Sequence, residues 1–152
     1  MIPVPLNVVH PIINPELYQL TPDSSNNIVK GLLVSYHKDF SPQIITDTVD
    51  NMLDIFFPDD QQMYINLDDN NIIYINSSYQ CLTKLQNFVV TFYLRYKYSN
   101  LNSLPSNYCI FGNVLFLSKM NPITHLDDGN FYSVPYQTVQ DLLEVYDIYT
   151  DC

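Results

Sequence analysis

A histidine and two carboxylates, His125, Asp127 and Asp128, fall within one short stretch that ends in Gly129. These residue types are what a divalent-cation site or an acid and base pair requires, because imidazole nitrogen and carboxylate oxygen both bind metals and both move protons. A metal site needs three or four converging ligands, so others would have to come from His10, His37, Asp59, Asp60, Asp68 or Asp69. The local chemistry favours a simpler reading. Asn121-Pro122 opens the stretch and Asp-Asp-Gly follows, a composition that makes turns unaided. We therefore expect a structural loop, with His125, Asp127 and Asp128 as the only metal candidates.

The other polar groups are weaker still as chemistry. Asp68-Asp69-Asn70-Asn71 is dense in oxygen ligands but lacks the glycine and distal bidentate glutamate of an EF-hand, so it reads as the turn of a hairpin. Cys81, Cys109 and Cys152 are far apart and in no Cys/His pattern, as expected of reduced thiols, with Cys109 reading as a buried small hydrophobe inside a strand. GxSxG, P-loop, GxGxxG and HExxH are absent, and three glycines are too few for phosphate-cradling loops. No catalytic or cofactor-binding residue is assigned, and no cofactor is expected.

Charge gives a firmer constraint. Sixteen acidic residues against six basic ones leave a net charge of -10, and Arg95 is the sole arginine. Nucleic acid and anionic membranes are bound by neutralising phosphate with Lys and Arg, so direct binding to either is not expected. The first fifteen residues, MIPVPLNVVHPIINP, have no basic start and are broken by Pro3, Pro5 and Pro11, unlike a secretory signal. No apolar run reaches membrane-spanning length. The expectation is an intracellular protein, in cytoplasm or nucleus. Absence of Ala with abundant Asn, Ile and Tyr matches an AT-rich coding sequence, such as that of a viral protein.

The elements that must position these groups follow from periodicity. Residues 1–15 read as a Pro-rich apolar extended arm or edge strand. Ile28 to Tyr36 is β-branched enough for a central strand, with Gly31 marking a bulge or a close backbone approach. Ser41-Pro42 looks like a cap, and Ile45, Val49, Met52 and Phe56 recur at helical spacing, which predicts a helix over 42–56. Gln62 to Ser77 alternates on both sides of the Asp-Asn turn and predicts a hairpin. A short helix is expected from Ser77 or Ser78 to Gln86. Residues 87–98 and 108–118 alternate apolar side chains and read as two antiparallel strands. Residues 121–130 read as a loop, and an apolar stripe from Tyr136 to Tyr146 predicts a helix over 135–147.

These elements add up to one α+β domain over 1–152, with a mostly antiparallel sheet of about five strands and two or three helices on one face. A small Greek-key or OB-like barrel is the alternative. Functionally, an acidic, tyrosine-rich chain without a catalytic signature is expected to be a non-enzymatic interaction or assembly protein, an accessory subunit, that meets a basic protein partner. The surface candidates are Asp59, Asp60, Asp68, Asp69, Tyr64, Tyr74, Asp147 and Asp151; a homo-oligomer is compatible with the same surface. Two alternatives stand beside it, a metal-dependent hydrolase using His125, Asp127 and Asp128, and an acidic nucleic-acid mimic that occupies a nucleic-acid-binding protein.

Overall fold

The computed structural model describes residues 8–9, 28–57, 62–76, 85–98, 109–121 and 123–150. Seven strands and three helices appear among them: β1 Val8–Val9, β2 Ile28–Val34, β3 Gln43–Thr48, α1 Val49–Phe56, β4 Gln62–Asn66, β5 Ile72–Asn76, α2 Phe88–Lys97, β6 Val114–Met120, β7 Asp127–Tyr132 and α3 Tyr136–Thr150. The expected α+β class holds. Six strands lie in the order β1-β3-β2-β6-β5-β4, and β7 pairs with β6 outside that path. Every strand pairing among the described residues is antiparallel. The sheet begins at β1 and ends at β4 without closing, which removes the barrel alternative.

Helices cover both faces of this sheet, where sequence had placed them on one. On one side Leu32, Val34, Ile73, Val114 and Phe116 pack under α2 and α3. On the other, Leu33, Ile72, Leu115 and Leu117 meet Met52 and Phe56 of α1. The central strands are therefore apolar on both faces, β5 being buried throughout. Gly31 is where the α1 side needs room. A Cβ there would lie 2.8 Å from a Leu115 methyl and 3.0 Å from the Met52 sulfur, so the close approach read from the sequence is what glycine permits.

Three segments depart from the sequence reading. Residues 43–48 form β3, paired with β2 from Ile28↔Thr48 to Leu33↔Gln43, and the helix expected from 42 begins only at Val49. Ile44 and Ile45 point to opposite buried faces, which a strand satisfies and a one-sided helix would not. Thr48 is the real cap, its hydroxyl accepting from the Asn51 N–H at 3.2 Å.

Residues 88–97, expected as the longest strand, form α2, so the expected pairing of 87–98 with 108–118 does not exist. Asn87 decides this locally. It is fully buried, its side-chain oxygen accepts from the Val90 N–H at 3.1 Å, and its NH2 donates to the carbonyls of Val34 and Gly112, each at 3.0 Å. One side chain thus caps α2 and ties it to β2 and to the approach to β6. Finally, Asp127–Tyr132, expected as loop, forms β7 against the far half of β6. The Val134 N–H donates to the Lys30 carbonyl at 2.9 Å and so anchors the exit from β7 to β2.

The hairpin has the expected form. Gln62↔Asn76, Met63↔Ile75, Tyr64↔Tyr74 and Ile65↔Ile73 pair in unbroken register. α3 also forms, extending to Thr150. Of the apolar arm, Val8–Val9 pairs with β3, and its remainder lies outside the described residues. So do residues 77–84 of the helix expected from Ser77 or Ser78 to Gln86, whose last residue instead forms an antiparallel bridge with Phe111.

Candidate functional site

Within 121–130, turn chemistry occupies Asn121 and 123–126, and β7 begins at Asp127. The Asn121 side-chain oxygen accepts from the N–H groups of Ile123 and Thr124, and the His125 N–H donates to the Asn121 carbonyl at 2.9 Å. His125 itself sits at φ 59°, exposed, while an Asp127 carboxylate oxygen accepts from the Gly129 N–H at 2.9 Å. Among the described residues no three His, Cys, Asp or Glu side chains converge as a metal site. His10, Asp59, Asp60 and Asp151 lie outside the described residues. Cys109 is not in a strand; it is half-buried beside α2 and accepts from the Arg95 guanidinium at 3.2 Å.

The remaining acids take different roles. Asp68 heads the hairpin turn, where one oxygen accepts from the Asn70 N–H at 2.8 Å and the other from the Tyr98 hydroxyl at 2.6 Å. The Asn71 amide also donates to Asp68, and its oxygen accepts from the buried Thr138 hydroxyl at 2.7 Å. The turn is thereby bonded to the end of α2 and the start of α3. Burial, followed by the Asp68 contact, pushes the Tyr98 hydroxyl well above the usual phenol range. Asp69 projects into solvent. Tyr64 is half-exposed and Tyr74 buried, their rings 5.8 Å apart. Burial, helped by Tyr64 and Asp50, pushes Tyr74 up to about 12.

Sequence reading missed the most distinctive surface, which is built by α2 and α3. On α2, Phe88, Phe92 and Tyr96 recur every fourth residue on the side turned away from the sheet, and Phe92 and Tyr96 remain 55% and 85% exposed. On α3, Ile148 is 68% exposed and Tyr149 stacks on Phe88 at 5.8 Å. The two helices enclose a groove of about 600 Å³ lined by Phe92, Tyr96, Val145, Ile148 and Tyr149. Its rim is charged. Lys97 donates to Asp141 at 2.7 Å, and that bond raises the lysine pKa. Glu144 and Asp147 extend the acidic side along α3, whose last turn holds no basic residue, so the helix dipole adds to their negative potential. At the groove floor the Tyr93 hydroxyl is buried close to the side chains of Tyr98 and Thr138 without a well-formed hydrogen bond to either.

The signal for this face was present in the sequence. Phe88, Phe92 and Tyr96 at i, i+4 and i+8 fit a helix as well as a strand, since 88, 92 and 96 share a face in both. No protein-family model matches the chain, and comparison with curated proteins and with solved structures finds no match either. No helix among the described residues is long and apolar enough to cross a membrane.

Proposed function

We propose that this chain is a protein-interaction module, an assembly or accessory factor, whose α2–α3 face docks a basic protein partner. One observation carries the reading: large apolar side chains on two adjacent helices are held out in solvent around a groove that no other described residue fills. Placing Phe92, Tyr96 and Ile148 at exposed positions adds nothing to the core, and aromatic rings are the side chains that contribute most when an interface closes over them. The acidic rim supplies the sign of the partner. Aromatic rings beside carboxylates favour a Lys or Arg side chain, attracted by ring and carboxylate together.

Affinity capture from the native source with the wild-type chain and with a Phe92→Ser, Ile148→Ser variant tests this. The expected result is one salt-sensitive partner retained by the wild type and lost by the variant while its circular dichroism is unchanged. Retention by both, or by neither, would overturn the reading. Adding duplex DNA as competitor separates a nucleic-acid mimic, whose partner would be displaced, from a dedicated docking module.

A further inference from the structure

We infer that the outer edge of β4 is a second docking edge, one that accepts an extended segment of a partner protein with Lys or Arg on both sides of an uncharged core. β4 ends the sheet, and among the described residues no strand pairs with its outer side. The Leu67 N–H donates to the Asn71 carbonyl at 2.9 Å, which fixes the alternation along the hairpin: Met63 and Ile65 bond toward β5, and the backbone groups of Gln62, Tyr64 and Asn66 face outward. Those outward groups form a ready template for an added strand.

Edges of this kind are normally blunted by charge, proline, a bulge or brevity. Gln62-Met63-Tyr64-Ile65-Asn66 has no charge and no proline, and its register with β5 is continuous over all five residues. Met63 and Tyr64 are 43% and 47% exposed, and the Gln62 side-chain oxygen is buried without a donor. The Tyr64 ring is held in place by Tyr74 on one side and by the Lys119 ammonium, 5.0 Å from its centre. An incoming strand would therefore meet a preorganised surface.

Charge selects the occupant. Asp59-Asp60 precede the strand and Asp68-Asp69 follow it, two acidic pairs bracketing an uncharged core. A second copy would bring its own net charge of -10 to the same edge. Like charges brought together are unfavourable, so self-pairing is resisted where a basic segment is attracted. Tyr98 and Asn71 hold the Asp68 carboxylate in position.

The test uses the full chain and a synthetic nonapeptide, Lys-Lys-Thr-Val-Tyr-Val-Thr-Lys-Lys, compared with the same peptide carrying Glu for every Lys and with one N-methylated at alternate residues. Amide hydrogen exchange is the readout. The basic peptide should slow exchange at Tyr64 and Asn66 by about tenfold or more at saturation, with Met63 and Ile65 unchanged, and the effect should fade with salt. The Glu and N-methyl peptides should do neither. Tyr64→Pro removes an outward N–H without touching a bond to β5 and should weaken binding at least about tenfold; should that variant misfold, the N-methyl peptide makes the same comparison on the native chain. Equal binding of the Glu peptide, or protection confined to residues away from 62–66, would overturn the proposal. So would a chain that sediments as a dimer with Tyr64 already protected before any peptide is added.

Discussion

The α2–α3 face and the β4 edge are both exposed, and no other described element covers either, yet they are exposed for opposite reasons. On α2 the backbone is satisfied and the side chains are left over: Asn87 caps the helix, and Phe92 and Tyr96 project from it. On β4 the backbone itself is left over along one side, and the side chains already have company, Tyr64 on Tyr74 and Ile65 against the core. A helical face offers shape and apolar area, whereas an edge strand offers direction and register. The two proposed docking surfaces would therefore select different partner segments. They are also joined, because Asp68 at the end of the hairpin bonds to Tyr98 at the end of α2.

Asn87→Ala should produce the largest effect. It removes a cap and strands the carbonyls of Val34 and Gly112, at a cost of roughly 3–5 kcal/mol by urea denaturation. A loss below about 1 kcal/mol would mean that α2 is held by packing alone and that the contrast drawn with β4 is misplaced.

Tyr98→Phe is next, at about 1.5–3 kcal/mol, since it deletes a hydrogen bond to a carboxylate. Its sharper consequence is that exchange at Asp69 and Asn70 should quicken while the rest of the hairpin stays protected, which would show that α2 steadies the turn. The same hydroxyl gives a pH signature. Tyr74, Tyr93 and Tyr98 all have pKa values raised above the unfolded value near 10, chiefly by burial. Their neutral forms stabilise the fold fully below about pH 10, and that contribution is lost as pH rises through the folded values. Absorbance of phenolate should accordingly rise in two stages, exposed tyrosines first and the buried three together with unfolding; a single early stage would contradict the burial of all three.

Tyr93→Phe tests the groove floor. Removing a buried hydroxyl that makes no well-formed hydrogen bond to its neighbours Tyr98 and Thr138 should leave stability unchanged or raise it by up to about 1 kcal/mol, as read from the urea midpoint. A destabilised variant would show that the hydroxyl is satisfied in solution. The smallest effect on folding is expected for Phe92→Ser with Tyr96→Ser, within about 0.5 kcal/mol of wild type in the same assay, because these rings are out of the core. A larger loss would reassign that face from docking to stability.

What the sequence determined by itself was whatever repeats with one period only. The hairpin was legible because its alternation is bounded by Asp68-Asp69-Asn70-Asn71, and α3 because its apolar positions match a helix and nothing else. Net charge was equally readable, as was the turn character of the first half of the loop expected over 121–130, whose second half is β7. Tertiary structure decided the rest. Phe88 to Tyr98 is apolar at almost every position, so both periods fit, and β-branched and aromatic residues favour the strand that did not form; the buried bonds of Asn87 to Val34 and Gly112 settled the matter from 53 and 25 residues away. Ile44 and Ile45 needed two covered faces before both could be buried, and two faces exist only because α1 packs opposite α2 and α3. β7 is too polar to announce itself, and its strand comes from backbone bonding to β6. That Phe88, Phe92 and Tyr96 share a face was written in their spacing; that this face stays outside was not, because a sequence shows which residues are apolar and only the packed molecule shows which of them have been left in solvent.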